Sequence, residues 1–425
     1  MLSTLRNAWK VADLRKRIFF TLAMLVIFRF GNFITVPFVD ASKLTSLGNQ
    51  GTLFGFYNLI SGGAFARCSI FAMGVVPYIN SSIIIQLLTI AIPYLEQLSK
   101  EGEDGRKKIQ NYTRYGAVAF GLIQAFGQYA IMTQLGAVTS NSIWNIMIIM
   151  LVLITGSTFL MWLGEQITVK GIGNGVSLLI FINIVSRMPD IGVKIVSYTT
   201  TGSINIVEVV GFVLVVIAMF VAVVIASLAE RRIPVQYAGR TVAGKTYKGQ
   251  STHIPINING TAVIAIIFAM SVMQFPATIA QFTGTNSAFY RLVMGNGSVF
   301  KDYTWQYSLI YFILIVFFTW FYSEVTFKPD EMAENIHKSS GFIPGIRPGE
   351  ATAKYISGVL TRIAILGGLF ASVIAIFPVL IQGYTNFKDI SFGGTMLLIM
   401  VGVSLDTVRQ IESQLVMRHY QGFLK

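Results

Sequence analysis

The chain has 425 residues, of which only 12% are charged and 54% apolar, and its mean hydropathy is +0.65. A soluble globular chain carries about 25% charged residues to cover its surface. An ordinary soluble enzyme, a disordered chain and a collagen-like repeat are therefore excluded. At ~20 residues per crossing, ten crossings use about half the chain, so the composition describes a polytopic α-helical membrane protein. The net charge of +13 reads first as topology, because Lys and Arg collect on the cytoplasmic side of a membrane protein.

Residues 1–17 are basic, with Leu5, Trp9 and Ala12 on one helical face. Two readings stand: an amphipathic helix on the cytoplasmic membrane surface, or a basic tail. Long apolar runs follow at 18–37, 69–92, 114–135, 143–164, 205–229, 257–280, 305–326 and 357–381, with shorter ones at 173–187 and 391–405. These ten spans place both termini in the cytosol. Twenty-three of the 32 Lys and Arg then fall inside, seven fall outside, and Arg29 and Arg362 lie within spans. The first run is long and lacks a small-residue cleavage site, so it reads as a retained helix.

The stretch 51–67 is apolar but too short and glycine-rich to cross. It is either a short helix held inside protein at membrane depth or an outer loop. Pro77 is expected to interrupt the helix that follows it, and Pro378 lies near the end of the ninth span. Cys68 stands alone, which excludes an intramolecular disulfide. It reads as a small buried apolar side chain or as a reactive thiol.

The spans hold almost no ionisable residue at mid-membrane, where an ion-coupled transporter places its coupling groups. Arg29 reads as a hydrogen-bonded residue between helices. Glu165, Glu208, Glu324 and Asp406 sit near span ends, and His253, His337 and His419 form no ligand spacing. GIGNG at 171–175 follows a membrane helix rather than a strand, which argues against a nucleotide loop. A middle of Ile, Val, Leu, Phe and Gly suits a hydrophobic constriction better than an ion or sugar site. The loops 230–256 and 327–355 are long and basic. They are topology determinants, docking surfaces for a cytosolic partner, or both.

Seven segments carry a family resemblance: SGGAFARCSIFAMGVVPYINSSIIIQLL (61–88), EGEDGRKKIQNYTRYG (101–116), MWLGEQITVKGIGNG (161–175), QSTHIPININ (250–259), FPATIA (275–280), HKSSGFIPGIRPGEATAKYI (337–356) and FGGTMLLIMV (392–401). In order and over nearly the whole chain, they resemble the bacterial SecY family, the central channel subunit of the Sec protein translocon. The resemblance implies an all-α fold, with ten transmembrane helices in two pseudo-symmetric five-helix halves around an hourglass pore closed by a short plug helix. The halves would be 18–190 and 191–405, after the N-terminal helix 1–17 and before a cytosolic tail 406–425.

By the same resemblance the pore ring is Val75, Ile79, Val176, Ile180, Ile267 and Ile399. Val75 with Ile79 and Val176 with Ile180 are spaced i, i+4 on one helix face. Valine at two positions leaves a slightly wider waist. The plug, near 54–67, holds Phe56, Tyr57, Ile60, Gly62, Gly63, Phe65 and Arg67. A lateral gate lies between spans two and three and spans seven and eight. Ser81, Ser82 and Gln86 either line it or make ordinary helix–helix hydrogen bonds. Arg347 in GIRPGE, with Arg240, Lys245 and Lys248, is expected to dock the ATPase SecA or the ribosome. The implied function is a protein-conducting channel of the bacterial plasma membrane. It would take unfolded preproteins and signal peptides, release membrane helices sideways into the lipid bilayer, and work with the small subunits SecE and SecG. No cofactor and no catalysis are expected. A secondary transporter for a small solute and a pore-less membrane scaffold are the competing readings.

Overall fold

A computed structural model describes residues 6, 8–43, 61–134, 136–140, 142–201, 205–237, 241–242, 245–246, 251–282, 287–294, 304–384 and 393–422. The chain runs α1 (Ala12–Gly31), α2 (Val76–Ala91), α3 (Pro93–Lys100), α4 (Glu103–Gln134), α5 (Ile143–Lys170), α6 (Gly175–Val185), α7 (Met188–Thr200) and α8 (Ile206–Leu228). Strands β1 (Glu230–Tyr237), β2 (Thr241–Val242), β3 (Lys245–Thr246) and β4 (Ser251–Asn257) come next. Then follow α9 (Ala262–Phe282), α10 (Ala288–Met294), α11 (Trp305–Phe327), α12 (Pro329–Lys338), β5 (Gly341–Phe342), α13 (Glu350–Tyr384) and α14 (Gly394–Gly422).

Each of the ten apolar runs carries a helix. Among the described residues, six are long and apolar enough to cross a membrane by themselves: Ile143–Lys170, Gly175–Thr200, Ile206–Leu228, Trp305–Lys338, Glu350–Pro378 and Gly394–Val416. The second run departs most from expectation. Its helix begins only at Val76, because residues 61–75 run as tight turns. Pro77 does not interrupt α2; it sits in the first turn, where its missing N–H is no loss. The real break comes at Pro93, which bends α3 by 100° from α2. Ile92 is extended (φ −108°, ψ 114°), because a residue before proline is pushed out of the helical region.

The lipid-facing pattern explains α5 and α8. In α5 the buried set Ile149, Leu153, Gly156, Leu160, Leu163 and Ile167 repeats every three or four residues, one helical stripe. Leu151 and Trp162 point away from it and are exposed. In α8 only Met219, Val223 and Ser227 are buried. Lipid tails are as apolar as these side chains, so close packing rather than water exclusion decides which helices meet. Gly175 shows the consequence, since any Cβ there would collide with the Gly164 carbonyl.

Two large apolar clusters divide the bundle. One gathers Phe28, Phe71, Leu160, Leu163 and Leu179 around Met396, Ile399 and Val403. The other gathers Val223, Ala265, Ile315 and Ala371 around Leu397, Leu398, Val401 and Leu405. Helix α14 therefore buries opposite faces in both clusters. That is why LLIMV is apolar all round.

The two long basic loops fold into one unit. Strand β1 lies between β4 and β5 in an antiparallel sheet, with Glu230 opposite Asn257 and Gln236 opposite both Ser251 and Phe342. Ile233 and Val235 point inward on β1 and pack with Ile256, Ile336, Ile343, Ile356 and Leu360. At the start of the chain, Ala8 and Leu14 pack against Ile172 and Ile411. Trp9 and Ala12 are left exposed, with the Trp9 ring 5.4 Å from that of Phe19.

One ion pair joins α4 to α5. Arg114 donates through Nε (2.9 Å) and Nη2 (2.7 Å) to the two carboxylate oxygens of Glu165. The Gln110 amide adds a third bond at 3.1 Å. Glu165 is 11% exposed and Arg114 40%. Arg114→Ala is expected to destabilise the protein by about 1–2 kcal/mol, below the full value of a charged hydrogen bond because solvent screens the guanidinium. Arg114→Lys should recover less than half, since an ammonium cannot form the fork. Thermal unfolding in detergent reads both.

Candidate channel constriction and plug seat

The six residues expected at the constriction come from four helices and the residue just before one of them. Val75 is the residue before α2, and its carbonyl accepts from the Ile79 N–H at 3.0 Å, so the pair lies one turn apart. Val176 and Ile180 lie one turn apart on α6. That helix starts where it does because Asn174 Oδ1 accepts from the Ser177 N–H at 3.1 Å, an N-cap. Ile267 comes from α9 and Ile399 from α14. Val75, Ile180 and Ile399 are each 4% exposed. Ile79, Val176 and Ile267 are half-buried against the same apolar cluster. Ile79 and Met188 also touch the second cluster, so the two clusters adjoin at Ile79.

Beside them lies the 61–75 segment. Gly62 (φ +64°), Gly63 (φ +88°), Gly74 (φ +56°) and Cys68 (φ +48°) have left-handed backbone, which keeps it out of a helix. A Cβ on Gly62 would strike the Asn183 amide. Backbone bonds tie the segment to the strand-like residues after α1: Val36 N–H to the Cys68 carbonyl (2.7 Å) and Ile70 N–H to the Ile34 carbonyl (2.9 Å). Asn32 donates to Asn183 at 3.3 Å. Ala64, Phe65 and Cys68 are fully or almost fully buried. Burial pushes the Cys68 thiol up to about 12, which favours the small apolar role over the reactive one. Of the expected plug residues, Gly62, Gly63, Phe65 and Arg67 lie in these turns, while Phe56, Tyr57 and Ile60 lie outside the described residues.

The seam beside α2 is more apolar than the sequence suggested. Ser81 is buried, and its hydroxyl donates to the Thr113 carbonyl of α4 at 2.7 Å. Ser82 is half-buried and Gln86 exposed. Ile83, with Ile79 and Leu87, packs into the cluster formed by α9, α11 and α13. Sequence reasoning missed Ile83 and Leu87; their spacing from Ile79 (i+4, i+8) was the available signal.

The GIGNG turn spends its donors on structure. Ile172 N–H is accepted by Thr21 Oγ1 (3.1 Å), Gly173 N–H by Gln410 Oε1 (2.6 Å) and Gly175 N–H by Thr168 Oγ1 (2.8 Å). It locks α1, α5, α6 and α14 together. Of the expected docking residues, Arg240 and Lys248 lie outside the described residues. Lys245 pairs with Val242 in the short β2–β3 hairpin. Arg347 is exposed in a turn flanked by Gly345 (φ +82°) and Gly349 (φ +97°). Its carbonyl accepts from Thr352 Oγ1 at 2.9 Å.

Comparison with known proteins agrees with this architecture. The family model described as SecY matches residues 69–408. The protein translocase subunit SecY of Halalkalibacterium halodurans is 43% identical over 436 residues, covering all of both chains. A solved structure titled as a protein-conducting channel superposes with a TM-score of 0.68 at 19% identity, covering 95% of this chain and 93% of its own. Another describes the SecY plug domain as stabilising the closed channel and maintaining a membrane seal. It superposes at 0.66 with 20% identity, covering 95% and 92%. Full-length identity at this level, together with the match of the family model, shows that the chain belongs to the SecY family.

Proposed function

We propose that the chain is the protein-conducting channel of a Sec translocon. It passes unfolded secretory chains between its two clusters and releases apolar helices sideways into lipid. One observation carries this reading: six apolar side chains from α2, α6, α9 and α14 meet in a single cluster next to a buried, non-helical segment. A ring that offers only dispersion contacts, each ~0.1–0.2 kcal/mol, gives no passing side chain a strong site at which to stall. The same ring excludes water and ions when empty. Residues near 54–67, of which 61–67 lie in the 61–75 turns, serve as the plug. The seam of α2 and α4 against α9 serves as the lateral gate, driven by transfer of apolar surface into lipid.

The proposed orientation is plasma-membrane, with both termini, the β-sheet unit and α3 in the cytosol. The exposed apolar faces of the outer helices suit SecE and SecG. Arg347, with Arg240, Lys245 and Lys248, faces SecA or the ribosome. The two flanking glycines project the Arg347 side chain while its backbone is held.

Replacing Ile79, Ile180, Ile267 and Ile399 together with Ser should raise ion leak through the reconstituted channel several-fold. Unchanged leak in planar bilayers would remove these residues from the constriction. Arg347→Glu should slow SecA-driven translocation into vesicles by roughly tenfold or more, the loss of a central Arg anchor, while leaving leak unaltered. In the idle channel, a maleimide should label Cys68 at least tenfold more slowly than a cysteine placed at exposed Ser42. Labelling during active translocation should accelerate by a similar factor as the segment leaves its seat; a constant rate would mean that the segment does not move.

A further inference from the structure

Three arginines from three parts of the chain converge beside the plug segment. Arg29 lies near the end of α1, Arg67 in the 61–75 turns, and Arg187 just before α7. The guanidinium carbons of Arg29 and Arg67 stand 5.6 Å and 4.9 Å from the centre of the same ring, Phe33. Arg187 Nη2 lies 3.3 Å from where a Cβ on Gly63 would be, so it faces the turn that leads to Arg67. All three cations interact electrostatically with one another, and Asp190 is the carboxylate that both Arg29 and Arg187 feel. Among the described residues, Arg29 and Arg187 thus share the charge of Asp190.

Arg29 and Arg67 make no ion pair among the described residues. A terminal nitrogen, Nη1, of each is buried without a hydrogen-bond acceptor. Buried donors are almost always satisfied, and each guanidinium presents a planar fork matched to oxyanions. Forks arriving from three segments divide naturally over the oxygens of a tetrahedral anion, whereas a planar carboxylate has only two. We propose that Arg29, Arg67 and Arg187 form an oxyanion site for a phosphate-type group, either free in solution or in the headgroup of an anionic lipid. An anion held there ties α1, the plug segment and the α6–α7 junction together. The inference stands on this cluster and does not depend on the channel reading.

The test uses the full-length protein with its partner subunits in neutral detergent. Thermal unfolding is followed against inorganic phosphate, with chloride holding ionic strength constant. A second arm adds phosphatidylglycerol or, for comparison, phosphatidylcholine. The expected result is a saturable rise in Tm with phosphate or with phosphatidylglycerol. Half-saturation should move at least tenfold higher in Arg67→Gln and in Arg187→Gln, and stay unchanged in Arg106→Gln, an exposed arginine elsewhere. A response to phosphate identifies a soluble anion; a response to phosphatidylglycerol alone identifies a headgroup. Absence of both responses overturns the site, as does an Arg67→Gln response equal to the parent's or an equal loss in Arg106→Gln. If Arg67→Gln does not fold, Arg67→Lys carries the test. It keeps the charge but loses the fork, so its half-saturation should fall between parent and threshold; a parental value overturns the proposal.

Discussion

Lipid offers no hydrogen-bond partner to a peptide group, and most of this architecture follows from that. A helix satisfies itself; any other backbone at membrane depth must find partners within the protein. The 61–75 segment finds them in its own turns and in residues 34–36. The 171–175 turn, on the connection between two spans, likewise finds partners in the side chains of Thr21, Thr168 and Gln410. Both irregular stretches therefore sit where several helices meet, because only there are enough acceptors within reach.

The same solvent removes the usual reason for apolar side chains to cluster. In water, burying a Leu or Ile is worth about 1.5–3 kcal/mol; between lipid and protein the gain comes from fit. Helix α14 illustrates this, with apolar residues on both of its buried faces and one cluster on each side. The two clusters meet through Ile79 and Met188 and through α9 and α14, which contribute to both. An apolar contact of this kind can part without exposing much polar surface, which suits a structure whose axis must open.

Much of this was legible in the sequence. Long apolar runs and the uneven placement of Lys and Arg marked the spans, since both are direct imprints of the bilayer. The i, i+4 pairs Val75–Ile79 and Val176–Ile180 were visible in the spacing, whereas joining them to Ile267 and Ile399 took the family resemblance, because nothing local couples residues so far apart. The β-sheet was missed. Ile233 with Val235 and Ile254 with Ile256 flank Pro234 and Pro255, and proline inside an apolar run is a poor strand signal. The late start of α2 was hidden because residues 69–75 are apolar enough to read as membrane helix. Ser81 and Gln86 drew attention as polar residues, while the seam itself runs through Ile83 and Leu87. The arginine cluster was invisible because its members are dozens of residues apart.

The small sheet has a mechanical meaning. Its strands come from the connection between α8 and α9 and from the one between α12 and α13, and its underside is cemented by Ile336, Ile356 and Leu360. Helices that would otherwise slide independently share one rigid handle. A push or torque applied to this handle reaches α9 and α13 as a single load, and tilts that side of the bundle as a block instead of bending one helix at a time.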